Sequence, residues 1–167
     1  WGRLVYEMKG VYSLLEGSGI TRWPRGEARD GTVSQDALFF LCEDATVWSY
    51  AFPLLLGQPH KPSQNAPQLW CNLKDFAAEA RWVAIEAVPQ SNRLIALSEA
   101  GLLIAIDLET QAKVWEHRLP PEAQFLFDLA VQVVPEGMAI AAMSPSGPIF
   151  QYTDWDDKTE TIPGSYF

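Results

Sequence analysis

One strand–turn–strand unit recurs along this chain, and it restricts the fold more than any other feature. It reads VYSLLEGSGITRW from Val11, LFFLCEDATVWSY from Leu38, LIALSEAGLLIAI from Leu94 and AIAAMSPSGPIFQY from Ala139. Each copy has a short apolar run, then a few polar or small residues, then a second run carrying an aromatic or branched residue, which is the pattern of a β-hairpin. An all-β chain is the reading that follows.

The stretch from Asn92 to Leu119 shows the unit with its continuation. Leu94–Leu97 stops at Ser98-Glu99-Ala100-Gly101, a second run from Leu102 to Leu108 follows, and Asp107 and Thr110 punctuate the next turn, where short oxygen-bearing side chains bond the backbone locally. Lys113–Leu119 makes a third strand, and Pro120-Pro121 ends it because proline cannot donate to a ladder. The hairpins start 27, 56 and 45 residues apart, and self-similarity at this period marks the blades of a β-propeller. The set Asp107-x-x-Thr110-x-x-Lys113-x-Trp115, directly after the strand GLLIAID, resembles the blade ending of WD40-like and quinoprotein-like propeller repeats. In the quinoprotein-like pattern glycine usually follows the threonine, and here Gln111 and Ala112 stand there; the WD40 glycine-histidine element is missing.

The plan that results is an all-β, β-propeller-like domain over 1–167, with about four blades near 4–23, 37–73, 82–119 and 125–164, the first of them incomplete. Pro24 to Asp36 holds both charge signs without an apolar period and reads as a surface loop. Gly57 to Gln68, with three prolines, reads as a long inserted loop, which explains the 56-residue offset, since loops absorb length at small entropic cost. Leu69–Leu73 supplies a further strand, and KDFAAEAR from Lys74 has the composition of a turn or two of helix. Innermost strands should be the most uniformly apolar, being packed on both faces, and FLFDLAVQVV from Phe125 fits that demand.

Composition excludes several functions. A formal charge of −9 argues against nucleic acid and against anionic membrane surfaces, both of which select a basic face. Apolar runs such as Ala51 to Leu56 fall far short of the ~20 residues that cross a bilayer, so no membrane insertion is expected. Cys42 lies in an apolar strand and Cys71 follows Trp70; two reduced, packed thiols are the reading, which favours a cytoplasmic setting without fixing a compartment.

No catalytic constellation emerges. His60 and His117 lack the companions of a zinc site, no Ser sits in a GxSxG elbow, and Glu16-Gly17-Ser18-Gly19 lacks the P-loop lysine. Asp154-Trp155-Asp156-Asp157 lacks the graded ligands and glycine of a calcium loop. No cofactor, metal or small-molecule substrate is expected. Trp48, Trp82, Trp115 and Tyr152 recur at what read as comparable strand positions, which suits packing between blades. Trp70, beside the long loop, reads as the exposed aromatic, and Trp70, His60 and Trp155 are the candidate contacts for a protein partner. The function expected is a non-catalytic protein–protein interaction scaffold or a subunit of a larger assembly. The alternative is a fragment of a propeller enzyme, of hydrolase or quinoprotein type, with a pocket lined by carboxylates such as Glu43, Asp44, Asp107 and Asp154. At about 45 residues per blade, a propeller of six to eight blades needs about 270–360 residues, so further blades or a partner chain are expected to cover the open ends.

Overall fold

A computed structural model describes residues 28–34, 37–51, 68–154 and 159–161. These form three four-stranded antiparallel sheets, each built from four strands consecutive in sequence. The first holds β1 (Ala28–Val33), β2 (Ala37–Cys42), β3 (Thr46–Ala51) and β4 (Gln68–Asn72). The second holds β5 (Trp82–Val88), β6 (Arg93–Ser98), β7 (Leu102–Asp107) and β8 (Lys113–Arg118). The third holds β9 (Asp128–Val134), β10 (Gly137–Ser144), β11 (Gly147–Asp154) and β12 (Thr159–Thr161). This is a propeller-like succession of blades, and three of the four repeated hairpins are the two middle strands of successive sheets. The hairpin from Val11, and with it the expected blade at 4–23, lies outside the described residues.

The three hairpin turns share one design. Ala45, Gly101 and Gly147, each the residue before or at the start of the second strand, all have positive φ, at 67°, 90° and 121°. The turns of the first two are closed by bonds from Ala45 N–H to Cys42 O (3.0 Å) and from Gly101 N–H to Ser98 O (3.1 Å). Left-handed backbone is what lets a short loop reverse the chain with the twist of the flanking strands, and glycine takes it at no steric cost. In the next turn of the second sheet Asp107 Oδ1 accepts from the N–H groups of Glu109 (2.9 Å) and Thr110 (2.8 Å), which is the local bonding the Asp-x-x-Thr spacing foretold. There Gln111 adopts φ 62°, so the residue occupying the usual glycine position keeps the glycine conformation.

Two apolar layers hold the sheets together. Phe39, Leu41 and Val47 of the first sheet pack with Ile85, Leu94, Ala96 and Ile104 of the second. Ile95, Leu97 and Leu103, on the opposite face of the second sheet, pack with Leu129, Met138, Ile140 and Ala142 of the third. Side chains in a strand alternate between faces, so the uninterrupted apolar runs of β6 and β7 are the signature of a sheet covered on both sides. Burying one such Leu or Ile contributes roughly 1.5–3 kcal/mol. By contrast β10 alternates buried and half-buried residues, because only one of its faces meets another described sheet.

The stretch expected to be a surface loop, Pro24 to Asp36, contributes β1, the edge strand that faces β5. It carries no apolar period because its inward side chains are hydrogen-bond acceptors. Asp30 Oδ2 accepts from Ile85 N–H (2.9 Å) and Thr32 Oγ1 from Ala87 N–H (2.9 Å), while Arg29 Nη1 donates to Trp82 O (3.2 Å). β5 is the edge of its own sheet, so its outward N–H groups have no strand to bond; β1 satisfies them with side chains instead. Asp30 is 5% exposed. Burial pushes its carboxyl up from 3.8 to about 7, opposed by the N–H bonds from Ile85 and Gly31 and assisted by the charge of Asp128.

Three smaller expectations are corrected. KDFAAEAR forms one 3-10 turn at Leu73–Asp75, started by Asn72 Oδ1 accepting from Lys74 N–H, and no α-helix. The apolar run from Phe125 is not a uniformly buried strand: β9 starts at Asp128, and Ala130 and Gln132 on it are exposed. The recurring aromatics do not share one position either, since Trp82 is on a first strand, Trp48 and Tyr152 on third strands and Trp115 on a fourth; large side chains fill gaps where the sheets meet and are not tied to one repeat position. Cys42 is buried, Cys71 half-buried, and neither is in a disulfide, with burial pushing the Cys71 thiol up to about 12.

Three measurements check this account. Because the folded state holds the Asp30 proton more tightly than the unfolded chain, stability falls as pH rises from 3.8 towards about 7. Asp30→Asn, which keeps an acceptor oxygen without a charge, should remove that slope, seen as a urea midpoint that gains on wild type across the interval and then levels off. A Cβ at Gly137 would lie 2.0 Å from Thr153 O, so Gly137→Ala must displace β11 and should cost about 1–3 kcal/mol in the same measurement. At Gln111, glycine should be neutral or slightly stabilising, whereas valine should cost about 1–2 kcal/mol because β-branching resists the left-handed region.

Candidate functional site

The hairpin turns of the first two sheets lie at one end of the blades, because β1 and β5 run parallel, residue 30 facing 85 and residue 32 facing 87. That end carries two adjoining clefts. The larger, about 810 Å³, is bounded by the Ala77–Arg81 connection, the turn at Ser98–Ala100 with Leu102, Arg118, and Pro121, Gln124 and Phe125. The smaller, about 300 Å³, is lined by Arg29, Arg81, Val83, Glu99, Phe125 and Phe127. Arg81, Glu99 and Phe125 belong to both, so the two form one depression over the junction of the second and third sheets.

The connection between β8 and β9 shapes this depression. Phe125 is 68% exposed and Phe127 46%, while Leu126 between them is only 2% exposed. Leu126 plugs into the core shared by the second and third sheets, while the backbone bends at Phe125 and leaves the rings on either side of Leu126 outside that core. The backbone is fixed on both sides, since Leu126 N–H donates to Glu99 O (3.1 Å) and Phe127 N–H to Met143 O (3.1 Å). Phe125 itself has φ 56°, a conformation that costs a bulky residue of order 1–3 kcal/mol and that persists only where the surroundings impose it. Two aromatic rings are thereby presented on a rigid frame.

Around them, Arg81 and Glu99 form an ion pair at 3.3 Å. Arg118 stands at the end of β8, where Leu119 N–H donates to Gly101 O (2.8 Å) and ties that strand end to the neighbouring turn. No described carboxylate pairs with Arg118 or Arg29, whereas Arg93 pairs with Asp107 (3.1 Å) and Lys113 with Glu116 (2.6 Å) elsewhere.

The carboxylates considered for catalysis are scattered. Asp107 lies at the opposite end of the second sheet with both oxygens engaged, by its own turn and by Arg93; these bonds, the Thr110 N–H first among them, hold its carboxyl below the ordinary value. Asp44 is taken up by Thr46, whose hydroxyl in turn accepts from Trp48 Nε1 (2.8 Å). Asp30 is buried with each oxygen on a backbone N–H. Among the described residues no three His, Cys, Asp or Glu side chains gather in a metal-holding group.

Of the contacts read from the sequence, Trp70 lies on β4, half-buried, with its ring edge-on to Phe39 at 5.2 Å between centroids. His60 and Trp155 fall outside the described residues. Sequence reading missed Phe125 and Phe127 by assigning both to a buried strand. The signal was present in the double proline before them and in Asp128 after them, which leave a connection too long to be a hairpin turn.

Comparison with known proteins gives a fold and no closer relation. No protein-family model and no curated protein matches this chain. Among solved structures it is similar to the WD40 domain of SCAP from fission yeast, with a TM-score of 0.51 and 14% identity over 84% of this chain. The chain spans 36% of the length of that domain. Three consecutive four-stranded blades, joined by apolar layers and superposable on that domain, identify the chain as a WD40-like β-propeller fold.

Proposed function

We propose that this chain is a non-catalytic protein-interaction scaffold, or a subunit of a larger assembly, that contacts its partner through the depression around Phe125 and Phe127. The observation that carries this reading is the pinned Phe125-Leu126-Phe127 segment: two exposed aromatic rings held by a buried neighbour and two backbone bonds. Aromatic side chains dominate interface energetics, and a preorganised pair costs little entropy to engage. The catalytic alternative needs a cleft with convergent carboxylates, and the depression offers only Glu79 and the ion-paired Glu99.

Selection from a random displayed-peptide library tests this reading: it should enrich peptides that bind the chain and fail to bind the Phe125→Ser/Phe127→Ser variant. Enrichment of nothing, or of peptides that bind both forms alike, removes the depression as the contact surface.

A further inference from the structure

The charges around the depression are distributed unlike those on the remainder of the molecule. The described residues include six cations and fifteen carboxylates. Three of those cations, Arg29, Arg81 and Arg118, line the two clefts, against only two of the carboxylates, Glu79 and Glu99. Glu99 is already neutralised by Arg81. Asp128, the carboxylate next to Phe127, turns Oδ1 to the N–H of Leu129 (2.8 Å). The guanidinium groups of Arg118 and Arg29 are left without a described carboxylate, on either side of Phe125. An acidic ligand is therefore repelled by most of this surface and drawn to one place, which is how a local reversal of sign sets orientation and encounter rate.

The apolar part of the larger cleft is made by Ala77, Ala78, Ala100, Leu102, Pro121 and Phe125. Small apolar side chains beside one aromatic ring leave room for a bulky apolar side chain. Arg118 is at the rim of that same cleft, and its planar fork fits a carboxylate in a bidentate manner.

Resting on the interaction reading above, we propose that the depression takes an acidic polypeptide segment, in which an apolar side chain enters the cleft beside Phe125 and an adjacent carboxylate meets Arg118. Each half of the site alone would be weak, since a rim ion pair contributes little, and the combination gives selectivity. A basic segment meets Arg118 and Arg29 unfavourably, with Glu79 the one carboxylate of the lining that is not ion-paired.

The test uses two fluorescein-labelled dodecapeptides, one of alternating leucine and glutamate and one of alternating leucine and lysine, titrated with the chain by fluorescence anisotropy at low and raised salt. The glutamate peptide should bind about tenfold more tightly, an advantage that shrinks with salt. Arg118→Glu should abolish the preference and Arg118→Gln should reduce it, while Phe125→Ala should weaken both peptides by a similar factor; thermal melts confirm that each variant folds. A glutamate preference untouched in Arg118→Glu, or no preference in the wild type, overturns the acidic-segment proposal. If both peptides bind equally and both are lost in Phe125→Ala, the interaction surface stands and only its charge selectivity falls. If neither peptide binds and the displayed library enriches nothing, both fall.

Discussion

An edge strand in the middle of a molecule has to bond its outward N–H groups to something, and in this chain Asp30 and Thr32 answer that requirement for β5. The bonds are few, but an unpaired buried N–H costs about 1–3 kcal/mol, so their absence would weigh more than their presence contributes. They also fix how the first two sheets align, because β1 can offer acceptors to Ile85 and Ala87 only when the two strands run parallel and in step. The turn ends of these two blades then come to one side, and Arg29 of β1 is brought to the smaller cleft beside Arg81, Glu99 and Phe125.

Acceptors of this kind hide a strand from sequence reading. The hairpins β2–β3, β6–β7 and β10–β11 were legible because each repeats an apolar run, a turn and a second run, and the turn chemistry of Ser98–Gly101 and Asp107–Thr110 gave the ends of β6 and β7 to within a residue. β1 was not legible, since its inward positions are Asp30 and Thr32, and a strand whose buried face is polar shows no alternation. The depression was invisible for the converse reason. Phe125 and Phe127 look like core residues by composition, and only the burial of Leu126 reveals which of the three side chains faces inward.

The aromatics illustrate how far composition can lead. Trp82 and Trp115 are core residues, as their number suggested, but the strand position of each is set by the gap it fills between sheets and not by the repeat. The left-handed residues follow the repeat more faithfully than any side chain. Ala45, Gly101 and Gly147 hold the same place in three hairpins although only two of them are glycine. Backbone geometry at the turns is the conserved element of the unit within this chain, and side-chain identity adapts around it.

The order of strands in each sheet has a kinetic consequence. All the pairings within a blade join neighbours in sequence, whereas the seam bonds from Arg29, Asp30 and Thr32 span 53 to 55 residues. Local contacts close first because their loops are short, so the blades acquire their hairpins before the seam can form. Docking of β1 on β5 is then the late step, and it is the step that takes the Asp30 carboxyl out of water. Between pH 3.8 and about 7 a proton is taken up as that carboxyl is buried, so closing the seam is coupled to a proton in that interval.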